Sequence, residues 1–235
     1  MNAFVWASLA AAANVAGALA VAAPRRRGVH VLDALIAVSA GFMIAVALIA
    51  LIPEALARGG PETGLVVLGG YLLVHLSQHT LAGHFHFGEE THHVTAAVSV
   101  SALAGLLVHT FVDGVAIASG FLVSEALGRV VFLAVVLHKL PEGLAIASLF
   151  LAAGWSRAVA IASAGALGLA TLLGVALTHA AESLASYGLA LAAGVTLYVA
   201  ASNLVPEFQA RRGWRLAVYF FGGCAAFLLV HGLVH

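Results

Sequence analysis

The chain has 235 residues, 63% of them apolar and only 9% charged, with ten basic side chains against ten acidic ones. Soluble domains are about 45–50% apolar, and so few charges cannot cover a surface that faces water, so an ordinary cytosolic enzyme is excluded and a polytopic membrane protein is left. No basic stripe exists to bind nucleic acid, and a single cysteine, Cys224, excludes a disulfide framework and thiolate metal sites.

A membrane-spanning helix needs about 20 mostly apolar residues. The polar clusters divide the chain into eight such runs, at 2–23, 31–57, 63–83, 94–122, 125–152, 156–180, 184–206 and 213–234. The runs are continuous and lack period-two alternation, so helices are expected rather than a barrel. The connections are short, which predicts one transmembrane domain over 1–235 with no soluble domain.

The first run ends in Ala20-Val21-Ala22, which looks like a cleavage site, but no Lys or Arg precedes it and Arg25, Arg26 and Arg27 follow it. That order is the reverse of a signal peptide, so the first run is expected to be retained with its N-terminus outside. The inner connections then hold Arg25, Arg26, Arg27, Arg157, Arg211, Arg212 and Arg215, and the outer ones only Arg58 and Arg129. By the positive-inside rule both termini lie outside. The third run carries His75 and His79, one helical turn apart, and leads into the polar stretch Gly83–His93. His84, His86, His92 and His93, with Glu89 and Glu90, lie in this cytoplasmic loop. They read either as an auxiliary metal receiver or as a plain polar loop.

The chain also repeats itself. The second run contains Gly41 and ends at Pro53-Glu54; the seventh contains Gly194 and ends at Pro206-Glu207, with the same Gly-to-Pro spacing. The fourth contains His109-x-x-x-Asp113-Gly114 and the fifth His138-x-x-x-Glu142-Gly143. Each pair runs in opposite directions across the membrane, which gives a 3+2+3 plan of inverted repeats, a habit of transporters with a site near the midplane.

At positions four apart, His109 and Asp113 share one helix face, as do His138 and Glu142 on the next helix. A charge at mid-membrane costs about 2.5–3.5 kcal/mol even on lenient scales, so these groups must satisfy one another or an ion. One such pair reads equally well as an interhelical clasp, whereas two matched pairs point to metal. Two imidazoles with two carboxylates suit zinc or ferrous iron better than magnesium or calcium. Pro141 removes a backbone donor and frees a carbonyl one turn back, near His138. Gly114 and Gly143 let helices approach closely. Near the outer end of the sixth run, His179 and Glu182 read as a metal-capturing pair or as ordinary interface residues.

The segments HTFVDGVAIA (109–118) and HKLPEGLAIA (138–147) resemble the fourth- and fifth-helix signatures of the Zrt/Irt-like (ZIP) metal transporters. ALIALIPEAL (47–56) resembles that family's second helix, and the histidine-bearing third loop also fits. The resemblance implies uptake of zinc, or of iron or manganese, into the cytoplasm, through the plasma (inner) membrane and often by a homodimer. It places the transport site on His109, Asp113, His138 and Glu142, with Met43 at the position where the second helix can add a thioether. A Met in an apolar helix is also ordinary packing.

The chain departs from the pattern where Thr110 stands for an Asn, Val112 for a Pro, Lys139 for an Asn or acid, and where 161–174 lacks a glutamate that some members contribute. These departures weaken the second ion position of two-metal members, so one metal per site is expected, with Lys139 as the surrogate for the second ion. The rival reading from another class is an intramembrane zinc-dependent hydrolase. It would need a general base such as HExxH supplies, and that motif is absent from the sequence.

Overall fold

A computed structural model describes residues 3–22, 29–78, 95–181, 185–209 and 214–234. Among these residues there is no strand. The helices are α1 (Ala3–Ala22), α2 (Val29–Ala45, continued through Val46–Leu51 and Ile52–Arg58), α3 (Thr63–Leu76), α4 (Ala96–Val123), α5 (Glu125–Ala152), α6 (Arg157–Ala180), α7 (Ala185–Tyr198, continued through Val199–Leu204 and Val205–Gln209) and α8 (Trp214–Val234). Seven of the runs are long and apolar enough to cross a membrane, and Thr63–Leu76 is a shorter apolar helix. The chain is an all-α polytopic membrane protein, with helices where the hydropathy places them.

Local chemistry sets the ends of the central helices. The Oγ1 of Thr95 accepts the Val98 N–H at the start of α4, Ser124 Oγ accepts the Leu127 N–H at 3.1 Å, and Ser156 Oγ accepts the Val159 N–H at 3.3 Å. Ser124 is the whole link between α4 and α5, held extended at φ −163°, so these two helices become antiparallel neighbours. At the other end of α5, Gly154 takes φ +85°, the Trp155 N–H bonds Phe150 O at 3.0 Å and the Gly154 N–H bonds Leu151 O at 3.1 Å. This is a Schellman stop, which needs a residue free to adopt positive φ.

The helices α2 and α7 widen into π-helical turns at Val46–Leu51 and Val199–Leu204. The Ile52 N–H bonds Ala47 O and the Val205 N–H bonds Ala200 O, each five residues back. Pro53 and Pro206 follow immediately. Each lacks the N–H that an α-helix would use and crowds the carbonyl four residues earlier, so the ladder shifts register just ahead of the ring.

The inverted repeat appears in the packing as well as in the motifs. A Cβ on Gly41 would lie 2.0 Å from Phe220 O of α8, and one on Gly194 would lie 1.9 Å from Val67 O of α3. The reciprocal approaches are Gly223 on Val38 O and Gly70 on Leu191 O, both at 2.1 Å. Likewise Gly143 meets Asn14 O and Gly114 meets Thr171 O, each at 1.9 Å, while Gly17 meets Leu140 O and Gly174 meets Phe111 O. The contacts are preserved when α1 is exchanged with α6, α2 with α7, α3 with α8 and α4 with α5. The 3+2+3 plan therefore holds along the chain, and in space the helices group four and four. One group is α1, α4, α5 and α6; the other is α2, α3, α7 and α8, and they meet where α5 lies against α2 and α4 against α7.

Candidate metal centre

The centre stands on the facing sides of α4 and α5 inside the first group. His109, Asp113, His138 and Glu142 are all buried, and one ligand atom from each lies within 4.8 Å of the others. Asp113 Oδ2 is 3.3 Å from His109 Nε2 and 3.3 Å from His138 Nε2, while Glu142 Oε2 is 3.5 Å and 3.9 Å from the same two nitrogens. An ion bonded tetrahedrally at zinc–nitrogen and zinc–oxygen distances needs ligand atoms roughly 3.4 Å apart. The four nitrogen–oxygen separations are therefore close to the edges of such a tetrahedron. The tight α1–α5 and α4–α6 approaches at Gly143 and Gly114 fix the height of both helices next to the acids.

Second partners orient the ligands. His138 Nδ1 is 2.9 Å from Ala134 O; a carbonyl only accepts, so Nδ1 carries a proton and Nε2 is the ring nitrogen that faces Asp113 Oδ2. A carbonyl on the far nitrogen is the arrangement by which outer hydrogen bonds aim metal-binding histidines. Glu142 Oε1 is held at 3.0 Å by the Thr110 hydroxyl, whose single proton is shared with Leu106 O, and at 3.5 Å by Asn14 Nδ2 from α1. His109 Nδ1 has no hydrogen-bond partner among the described residues.

Lys139 is fully buried in the same cluster. Its Nζ lies 2.6 Å from Asp113 Oδ2 and 2.9 Å from Glu142 Oε2. The carbonyl that Pro141 frees is that of Leu137, and it accepts from Ser39 Oγ of α2 at 2.9 Å. Met43 is buried in the apolar core of α2, which packs against α5.

Of the remaining sequence candidates, the described ones, His75 and His179, lie elsewhere. The His179 ring stacks on Phe4 with centroids 5.6 Å apart, at the start of α1, and Glu182 lies outside the described residues, as do His79, His84, His86, His92 and His93. His75 packs edge-on against Tyr198. Asn14 and Ser39 escaped the sequence reading. The signal for Asn14 was present: Asn14-x-x-Gly17 in α1 mirrors Thr171-x-x-Gly174 in α6, and both are polar residues inside alanine-rich spans.

Comparison with known proteins places the chain in a family. The family model described as ZIP zinc transporter matches residues 88–231, a stretch that includes both His/acid pairs. The chain is also similar to human "Zinc transporter ZIP13", with 29% identity over 158 residues, covering 58% of this chain and 42% of that protein. It thus spans less than half the length of that relative. Both His/acid pairs fall inside a match that takes in more than half of the chain, and the protein belongs to the ZIP zinc transporter family.

Proposed function

We propose that the protein carries a divalent transition-metal ion into the cytoplasm through a midplane site made of His109, Asp113, His138 and Glu142. The observation that carries the reading is the convergence of four buried ligand atoms within 4.8 Å on the two repeat-related helices. Zinc is the first expectation, since mixed imidazole and carboxylate ligands at tetrahedral spacing suit it; iron and manganese use the same donors. The arginine bias of the connections, seven against two, sets which side faces the cytoplasm; inward direction rests on the family resemblance. Location in the plasma (inner) membrane, a homodimeric assembly and a thioether from Met43 rest on the family resemblance alone.

One metal binds per chain, with the Lys139 ammonium in place of a second ion. Its Nζ lies on both acids, and a second cation beside it would meet its charge directly.

The test is zinc flux into proteoliposomes together with metal counting on the purified chain. Uptake that saturates, one tightly held ion per chain, and at least a tenfold loss of uptake in His109→Ala and Glu142→Ala are expected. Uptake unchanged in either variant would overturn the site, and two tight ions per chain would overturn the single-metal reading. The hydrolase reading would instead give metal-dependent turnover of a lipid or peptide without flux.

A further inference from the structure

Lys139 does more than exclude a second ion. Its Nζ contacts Asp113 Oδ2 and Glu142 Oε2, and these are the two oxygens that face His109 Nε2 and His138 Nε2. The other Glu142 oxygen is engaged by Thr110 and Asn14, which leaves Oε2 to the cluster. The ammonium and the metal therefore compete for the same carboxylate oxygens. We propose that Lys139 is a tethered counter-cation, which holds the two acids when the carrier is empty and gives way when the metal binds. The inference rests on the transport reading above.

The reason to build such a device is the cost of charge in the bilayer. With neutral imidazoles, an empty centre would carry the charges of Asp113 and Glu142 uncompensated at mid-membrane, where each is expensive. The ammonium removes half of that charge and donates hydrogen bonds to both acids. It is fully buried and sits one helical turn from Glu142 on the same helix, α5. An empty site is then tolerable during the return that must follow each delivery. The corresponding cost falls on affinity, because the metal must displace the ammonium or bind beside a like charge.

The competition separates two quantities that a structural role would move together. In Lys139→Met, of similar length and apolar, zinc binds at least tenfold more tightly to the purified full chain. The ratio of exchange (zinc outside against zinc inside) to net uptake into metal-free vesicles rises at least fivefold, because only net uptake requires the empty carrier to return. Lys139→Gln, which keeps hydrogen bonding without the charge, moves both in the same direction. In the wild type, exchange and net uptake proceed at rates within about threefold of each other. An unchanged or weaker zinc affinity in the folded variants overturns the competition, and an unchanged ratio overturns the role in the return. A wild type that exchanges zinc far faster than it takes it up overturns that role without any variant. A wild type that neither binds nor moves zinc would fail differently, by overturning the transport reading itself.

Discussion

At the scale of single residues, the centre depends on groups that touch no metal. Ser39 shows how a sequence cue and its structural answer can sit on different helices. Pro141 announces that the carbonyl of Leu137 loses its helical donor, but nothing in the local sequence names the replacement. The structure supplies it from α2, where the Ser39 hydroxyl divides its proton between Leu35 O at 2.7 Å and Leu137 O at 2.9 Å. Leu35 O has its own helical partner to fall back on, and Leu137 O does not. Ser39→Ala should therefore cost about 1 kcal/mol of stability, read as earlier unfolding of the purified protein in denaturant, with the number of bound zinc ions unchanged. An unfolding curve that overlays the wild type would mean that the Leu137 carbonyl finds another donor. The cluster of His109, Asp113, His138 and Glu142 was legible from spacing because i,i+4 on a helix leaves no choice of face. Ser39 was not, because which neighbour a helix meets is a property of packing, and Asn14 showed only in the match of Asn14-x-x-Gly17 with Thr171-x-x-Gly174.

At the scale of the helix, the glycines divide into two kinds. Gly143 and Gly114 lie so close to a neighbouring backbone that a Cβ would fall 1.9 Å from a carbonyl oxygen of Asn14 or Thr171, and a backbone atom cannot step aside. Gly69 of α3 and Gly165 of α6 have no heavy atom within 4 Å of the same position. Gly143→Ala must therefore push α1 away from α5 beside Glu142, a cost of about 2–3 kcal/mol or more, with loss of uptake. Gly69→Ala and Gly165→Ala should be neutral or stabilising by up to about 1 kcal/mol, since alanine is the better helix former. Equal stability losses in the two kinds would refute the close-approach assignment. The sequence had marked Gly114 and Gly143 by their place after the acids, and it placed α5 at 125–152, where Glu125–Ala152 is found. The π turns were harder to foresee. Pro53 and Pro206 give the reason for them, but hydropathy alone reads straight through to the helix end.

At the scale of the whole molecule, the grouping of helices identifies which surface can slide. Among the described residues, every glycine that approaches another helix's backbone does so inside one group of four, α1, α4, α5 and α6 or α2, α3, α7 and α8. Across the boundary the contact is through side chains, as where a Cβ on Gly188 of α7 would meet Ser119 Oγ and Val115 Cγ1 of α4. The packing ties the α4–α5 pair to α1 and α6, so all four candidate ligands lie in one group, and movement of that group against the other during transport is the expectation. The boundary offers a direct test, because the ideal Cβ on Gly188 lies 4.0 Å from Ser119 Cβ, within the range that a disulfide spans. In a Cys224→Ser background, Ser119→Cys combined with Gly188→Cys should close on oxidation and stop zinc uptake. The purified protein should still bind zinc, and reductant should restore transport. Each single cysteine variant should transport regardless of redox state. Uptake that continues at the wild-type rate with the bridge closed would show that the two groups do not move apart here.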